Sequence, residues 1–301
     1  MLLEIEKNER NKTLEKGSRG GMEVTVGIAL EFLDADNRKG IAVISDRMVS
    51  VGDWGVEMPA HKPYVLYERE EVLVMGVGAG TLSTISEYMG NLKSALDKES
   101  PSDMKKVAKV CNDEYVALLR ETIQRELLDP LHISFQELTG QDSTRGKLYE
   151  DVEYRIRNIA IPKFFEDLGV LVAGIDKNSS LVFTLEDSLK LKEAGRIGFD
   201  AIGSGFDSAD WTLMHRQFDG SKDMHYALLL GMYAKIQAEE SSGVGRDTDA
   251  YVISSNGIRE VPQSTLDFIR KEFERDRHRE RLSTKKAIER LRLRENEWKK
   301  I

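Results

Sequence analysis

The sequence predicts an α+β fold in which antiparallel sheets lie in the middle and helices lie outside. The first observation is the order of the elements, because strand-like runs and stretches with helical spacing come in blocks: strands, helices, strands, helices and a last strand. A parallel doubly wound fold would alternate strand and helix regularly. The second observation is that neighbouring strand-like runs are joined by short polar turns, which is typical of antiparallel hairpins.

The first block contains four predicted strands. Apolar runs at residues 24–32 and 41–46 flank a polar turn at residues 34–40, and together they predict a hairpin. Two further strand-like runs follow at residues 64–67 and 72–78, with a charged turn between them. The glycine-rich end of the fourth run predicts a tight strand-to-helix turn whose backbone N–H groups are exposed.

Helical spacing begins after Gly80, where Leu82, Ile85, Met89 and Leu92 share one face, and it continues toward Leu127. The segment from 141 to 146 is polar and predicts a loop before a further helix at 147–165. The remaining predictions are strands at 170–176, 181–185, 199–203 and 251–253, helices at 208–218 and 224–238, and a turn at Asn256-Gly257.

Composition narrows the function classes. The chain has 301 residues, a mass of 34.1 kDa, 40% apolar residues and a net charge of -8. The segment from Ser264 to Ile301 carries 13 Lys+Arg and 8 Asp+Glu, so this tail is basic and the rest of the chain is acidic. An acidic body does not favour nucleic acid as a partner, because phosphate contacts need a concentrated basic surface.

The apolar runs are short, so we expect no membrane span, and the N-terminus has no apolar signal segment, so we expect a cytoplasmic protein. Cys111 is the one cysteine, which excludes an internal disulfide and a cysteine-rich zinc site. The five histidines lack ligand spacing, and phosphate-binding, nucleophile-elbow and zincin motifs are missing. We therefore expect neither a metal nor another cofactor.

One ordered series of short motifs is more specific. Its members are Val24-Thr25-Val26-Gly27-Ile28, Ile44-Ser45-Asp46-Arg47, Lys62, Ala201-Ile202-Gly203-Ser204-Gly205, Glu239-Glu240-Ser241-Ser242-Gly243 and Asp249-Ala250-Tyr251-Val252-Ile253. Over residues 22–262 the series resembles the proteasome core-particle subunits, which are N-terminal-nucleophile hydrolases. The resemblance implies a four-layer αββα sandwich, a threonine peptidase that breaks down intracellular proteins or peptides, and a homo- or hetero-oligomer that forms rings.

The resemblance also implies roles for particular residues. Asp46 matches the aspartate that orients the catalytic lysine, and Lys62 matches that lysine. Ser204, Glu239 and Ser242 match the polar group around the N-terminal amine, with Glu239 in the place of an aspartate. The tract from Gly76 to Gly80, with Gly78 at its centre, would supply oxyanion-stabilising N–H groups. Such a site uses the terminal amine as base, so histidine is not required.

The nucleophile position departs from the family pattern. Counting back from Val26-Gly27 puts Glu23 where the first mature residue should stand, and a carboxylate cannot replace the hydroxyl. Thr25 is the nearest hydroxyl, but its use would move the nucleophile by about 6–7 Å at the rise of a strand. The sequence therefore predicts an inactive copy or a non-standard start, with Thr25 as an ordinary β-branched strand residue.

Three functions remain open. The first is a proteasome-type threonine peptidase, the second is a non-catalytic structural or assembly protein on the same fold, and the third is a stand-alone amidohydrolase or peptide ligase. Without a nucleophile, Asp46 and Lys62 would be a structural ion pair. The domain prediction is a charged extension and linker at 1–21, one αββα domain at 22–262, and a charged helix at 263–301 that packs on its own body or a neighbour.

Overall fold

The computed structural model describes residues 25–51, 54–57, 62–69, 71–139, 147–186, 191–194, 197–241 and 243–293. The strands are β1 (Gly27–Leu33), β2 (Lys39–Asp46), β3 (Met48–Val51), β4 (Trp54–Glu57), β5 (Pro63–Arg69), β6 (Val72–Gly80), β7 (Leu168–Ile175), β8 (Ser180–Leu185), β9 (Lys192–Glu193), β10 (Phe199–Ile202), β11 (Thr248–Ser254) and β12 (Gly257–Glu260). The helices are α1 (Leu82–Glu99), α2 (Met104–Ile123), α3 (Phe135–Thr139), α4 (Lys147–Arg155), α5 (Ile161–Asp167), α6 (Phe206–His215), α7 (Met224–Ala238) and α8 (Gln263–Leu293).

Most of the strands form two antiparallel sheets. The first sheet has the order β10-β1-β2-β11-β12, and the second has the order β5-β6-β7-β8-β9, while β3 and β4 pair with each other. The hairpin predicted from the first two apolar runs is β1–β2, in which Gly27 pairs with Ser45 and Leu33 pairs with Lys39. The predicted α+β class is confirmed, and the finer four-layer arrangement stays a prediction.

The alternation of side chains along the strands explains the core. On β1, Ile28 and Leu30 lie in an apolar cluster with α6, α7 and α8, whereas Ala29 between them lies in a cluster shared with the second sheet. On β6, Val74 packs with the cluster that contains α1 and α2, and Met75 belongs to the cluster shared by the sheets. Because side chains alternate with a period of two, both faces of these central strands are buried.

Most predicted elements exist, with shifted ends. The predicted helix at 147–165 is a composite of α4, a π-helical turn at Ile156–Ala160 and α5, and the predicted strand at 251–253 is the longer β11. The sequence did not predict β3, β4, β9 and β12, which have two to four residues each. So short a run carries too few apolar positions to show a period.

The C-terminal helix α8 packs on the body through its first turns. Leu266, Ile269 and Phe273 are buried in the cluster of the first sheet, and the Phe273 ring meets the Tyr233 ring of α7 edge to face at 4.9 Å. The side chains of residues 278–286 are exposed. Within the described ranges, no helix combines the length and the apolar character that crossing a membrane requires. The domain boundaries at 21 and 262 stay predictions.

Candidate functional site

The centre of the candidate site is Asp46, the last residue of β2. This strand lies between β1 and β11 in the middle of its sheet, and the Asp46 side chain is 0% exposed. Its Oδ1 accepts a hydrogen bond from the backbone N–H of Val26 at 3.1 Å. Its Oδ2 accepts from the backbone N–H groups of Met48 at 3.2 Å and Gly245 at 3.0 Å. Three chain segments therefore converge on one buried carboxylate.

Two further side chains complete the cluster. The Thr25 hydroxyl, in a residue that is 3% exposed, donates to Asp46 Oδ1 at 2.6 Å. Lys62 precedes β5 in the other sheet, and its Nζ donates to the same Asp46 oxygen at 2.9 Å and also to Thr25 Oγ1. The Thr25 hydroxyl thus accepts from an ammonium while it donates to a carboxylate. This cluster is called the Thr25–Asp46–Lys62 triad below.

The backbone of Thr25 is held on its other side by the turn that follows β10. Gly203 has φ +85°, and a Cβ there would stand 2.3 Å from the Thr25 carbonyl oxygen. The Gly205 N–H donates to that oxygen at 3.4 Å, and Ser204 Oγ lies 3.5 Å from it. A residue with a Cβ at position 203 would be strained by the positive φ and would clash with the Thr25 carbonyl, so glycine permits the turn to approach Thr25 this closely.

The other predicted site residues are placed differently. Ser204 contacts the Thr25 carbonyl, not the hydroxyl, and Ser242 lies outside the described residues. Glu239 is paired with Lys235 at 2.6 Å and with Arg270 at 2.6 Å. These two contacts turn the Glu239 carboxylate toward Lys235 and Arg270, and its expected place beside an N-terminal amine stays a prediction.

The glycines predicted to stabilise an oxyanion pack against helix α1. A Cβ on Gly76 would meet Met89 of α1 at 3.1 Å, and one on Gly78 would meet Ile85 of α1 at 2.3 Å. Both glycines lie inside β6, where they pair with β7. The observed role of these two residues is to let the helix approach the sheet, and their oxyanion role stays a prediction.

The charges around the triad are held by buried partners. Arg47, which follows Asp46, donates from Nε to Asp249 Oδ1 at 2.8 Å, and this contact raises the pKa of the Arg47 guanidinium. Lys235 is buried on α7, and burial lowers the pKa of its ammonium although Glu239 opposes that shift. In the part of the chain that the structure describes, no group of three or more His, Cys, Asp or Glu side chains could hold a metal ion.

The arrangement is suited to hydroxyl chemistry. A positive charge beside a threonine oxygen stabilises the alkoxide character that develops as the oxygen attacks a carbonyl, and a carboxylate keeps the lysine oriented. Sequence reasoning identified Asp46 and Lys62 but assigned Thr25 to the strand. It missed Lys235 and Arg270, for which neither motif nor spacing gave a signal.

Comparisons with known proteins show the fold. No family model matches the chain, and no curated protein matches it. Among solved structures, a Gly-1 mutant of Anbu from Hyphomicrobium sp. strain MC1 superposes with a TM-score of 0.59 at 14% identity, covering 86% of this chain and 96% of that one. Anbu from Yersinia bercovieri, described as an ancestral beta-subunit, gives a TM-score of 0.57 at 15% identity, covering 83% of this chain and 94% of that one.

A second Anbu structure from the Hyphomicrobium strain gives a TM-score of 0.58 at 13% identity, covering 86% of this chain and 97% of that one. These neighbours correct the sequence-based identification: the prediction of a proteasome core-particle subunit is wrong, because the similar structures are Anbu proteins and no family match supports core-particle membership. At this identity the similarity extends to the fold alone, and the chain shares with these Anbu structures an α+β fold with two antiparallel sheets.

Proposed function

We propose that the protein is a threonine-type amidohydrolase of the N-terminal-nucleophile kind and that Thr25 Oγ1 is its nucleophile. The observation that carries this proposal is the Thr25–Asp46–Lys62 triad, in which the Lys62 ammonium contacts the Thr25 hydroxyl and Asp46 Oδ1 holds both groups. Threonine hydroxyls are weak nucleophiles unless a base and a nearby cation activate them. The expected four-layer arrangement also belongs to this proposal, supported by three apolar clusters on the faces of the two sheets.

The chemistry requires a free α-amine on Thr25. In the sequence Val24 precedes Thr25, so hydrolysis of the Val24–Thr25 bond, which consumes one water, must first release residues 1–24. The amine then takes the Oγ1 proton as Oγ1 attacks the substrate carbonyl, and Lys62 stabilises the negative charge on Oγ1. The leaving amine departs with a proton, and water hydrolyses the resulting ester. An incoming peptide amine would instead form a new amide.

A second function has its own support. Thr25 is almost completely buried, and its hydroxyl is engaged by both partners in the chain that still carries residues 1–24. The triad would then be a structural polar cluster of a non-catalytic assembly protein. In either case self-association and a ring are proposals that rest on the proteasome-like fold. A peptide or unfolded-protein substrate belongs to the catalytic function alone, and a cytoplasmic location stays a proposal.

The two functions are separated by an intact-mass measurement followed by labelling. We expect purified protein to contain a species that begins at Thr25 and to form one adduct with a peptide epoxyketone, a reagent that needs both the hydroxyl and the α-amine. If the chain retains Val24, a specific protease site inserted before Thr25 generates the amine directly. Absence of an adduct after that cleavage would exclude threonine catalysis.

Two variants control this experiment. Thr25→Ala must abolish the adduct, because the reacting oxygen is gone. Thr184→Ala removes another buried threonine hydroxyl, which donates to Asp200 at 3.3 Å, and we expect it to leave the adduct unchanged. Native mass spectrometry of the same samples tests the oligomer, and a strict monomer would contradict a ring.

A further inference from the structure

The C-terminal helix α8 binds the loop at 243–246, beside the candidate site, through one arginine. Arg270 donates from one nitrogen to Glu239 Oε2 at 2.8 Å and from the other to Glu239 Oε1 at 2.6 Å. The second nitrogen also donates to the Arg246 carbonyl at 2.9 Å. Such a bidentate contact fixes the orientation of both side chains, because the planar guanidinium matches the carboxylate geometry. Glu239, which directly follows α7, is therefore held by a residue of α8.

The next contact in the series is a fully buried lysine. Lys235 on α7 is 0% exposed, and its ammonium donates to Glu239 Oε1 at 2.6 Å. The same ammonium donates to the carbonyls of Gly245 at 2.7 Å and Arg246 at 2.8 Å. An ammonium has three protons, and these three acceptors use all of them. Lys235 thus binds the backbone of the loop at 243–246 from inside the protein.

The loop in turn reaches the triad. Gly245, whose carbonyl accepts from Lys235, donates its own N–H to Asp46 Oδ2 at 3.0 Å. Asp46 Oδ1 is the oxygen that contacts Thr25 and Lys62. A continuous series of hydrogen bonds therefore runs from α8 to the carboxylate, and the direction in which Gly245 points its N–H depends on Lys235.

We propose that Arg270 is a positioning residue for Asp46, acting through Glu239, Lys235 and the Gly245 amide. The C-terminal helix then has a task beyond covering the first sheet: it keeps the carboxylate rotated so that one oxygen faces Thr25 and Lys62. The part of the test that measures Thr25 reactivity rests on the proposed function, whereas the part that follows the Gly245 amide does not.

The test compares three variants of the full chain. Arg270→Gln removes the charge and the paired contact, and Arg270→Lys restores the charge without the planar fork. The matched control is Arg277→Gln, which lies two turns further along α8 and breaks an ion pair of similar kind, the exposed contact between Arg277 and Glu240 at 3.0 Å. Thermal unfolding measures how much each change loosens the helix in general.

The first readout is hydrogen exchange of the Gly245 amide, followed by NMR with 15N-labelled glycine. We expect Arg270→Gln to lower the protection of this amide by at least about tenfold, Arg270→Lys to recover part of it, and Arg277→Gln to leave it unchanged. Unchanged protection in Arg270→Gln, or an equal loss in Arg277→Gln, would overturn the proposal whether or not Thr25 is a nucleophile.

The second readout is the rate at which an epoxyketone modifies Thr25 as pH varies, using chains that begin at Thr25. A displaced carboxylate should slow modification about 10- to 100-fold in Arg270→Gln. The pH at which the modification rate is half-maximal should also fall by about half a unit, because the Thr25 α-amine loses part of the stabilisation that the Asp46 carboxylate gives to its protonated form. A lower melting temperature with an unchanged pH profile would mean that Arg270 only fastens the helix, and would overturn the proposal. Failure of every chain to react, together with a lost Gly245 protection, would reject the proposed function and support the positioning role.

Discussion

Replacing Asp46 with asparagine should be among the most destabilising single changes in this protein. The carboxylate is fully buried and accepts five hydrogen bonds, of which three come from backbone N–H groups and one comes from an ammonium. An asparagine offers one oxygen, so its NH2 group must take the place of the other carboxylate oxygen and face hydrogen-bond donors there. If the NH2 group takes the place of Oδ2, the N–H groups of Met48 and Gly245 lose their acceptor.

The size of the effect follows from two contributions. A buried donor left without a partner costs about 1–3 kcal/mol. Lys62, whose side chain is 13% exposed, would lose its carboxylate, and removing one member of a buried ion pair costs about 3–5 kcal/mol. The contributions overlap, so we expect a loss of about 4 kcal/mol in the free energy of unfolding. At about 2–4 °C per kcal/mol, the melting temperature should fall by about 10 °C.

Urea unfolding followed by circular dichroism measures this loss, with Asp34→Asn as the control. Asp34 lies in the β1–β2 turn, where it accepts bonds from Asp36 and Arg38, but it is solvent-accessible, so the same substitution should cost far less. The double variant Asp46→Asn/Lys62→Met should lose less than the two single variants together, because it removes the unpaired ammonium. A loss below about 1 kcal/mol for Asp46→Asn, or simple additivity in the double variant, would refute the reasoning.

Three further predictions concern other sites. Burial and nearby Asp200 raise the pKa of Asp210 to about 6, so the stability that its protonated form contributes is full below about pH 4 and is lost as pH rises through 6. Across that range the melting temperature of Asp210→Asn should decline less than that of the parent. An equal decline in both proteins would contradict this prediction. Gly203→Ala should lower both the melting temperature and Thr25 labelling, because its Cβ would meet the Thr25 carbonyl, whereas parent-like values would show that the turn relaxes freely. Burial raises the pKa of the Cys111 thiol, so iodoacetamide should alkylate it only in denaturant, and rapid alkylation of native protein would disprove its burial.

Local patterns predicted the strands and helices well where the chain has continuous apolar runs of a typical length. The runs at 72–78 and 224–238 correspond to β6 and α7 with little change, because each is apolar almost throughout and has the length of a buried strand or a buried helix. The order of strands within the sheets could not be predicted, since β1 lies between β10 and β2, and β6 lies beside β7, across long stretches of sequence. Those pairings depend on which faces the helices cover, and that information is not local.

The candidate site was predictable in part because its motif residues lie in a recognisable order along the chain. Asp46 and Lys62 were assigned from the resemblance to the family motif, and the structure places their side chains in contact. Arg270 is one of many charged residues on α8, and its spacing does not distinguish it from Arg277. Arg270 nevertheless binds a carboxylate that is 10% exposed, and Arg277 binds one that is 54% exposed. Only the packing of α8 on α7 separates the two arginines.

The contact between Thr25 and Asp46 follows from the register of the β1–β2 hairpin, and the turn sets that register. Asn37 has φ +57°, and hydrogen bonds between Asp34 and Arg38 and between Asn37 and Asp34 close the turn, so that Leu33 pairs with Lys39. From this pairing, Asp46 falls beside Val26, whose carbonyl accepts its N–H at 3.2 Å. A turn centred one residue later in the chain would have paired Asp46 two positions further along β1 and taken the carboxylate away from Thr25. An Asn37 variant that favours another turn, such as Asn37→Val, should therefore weaken the Thr25 contact as well as the hairpin, because β-branched residues resist a positive φ.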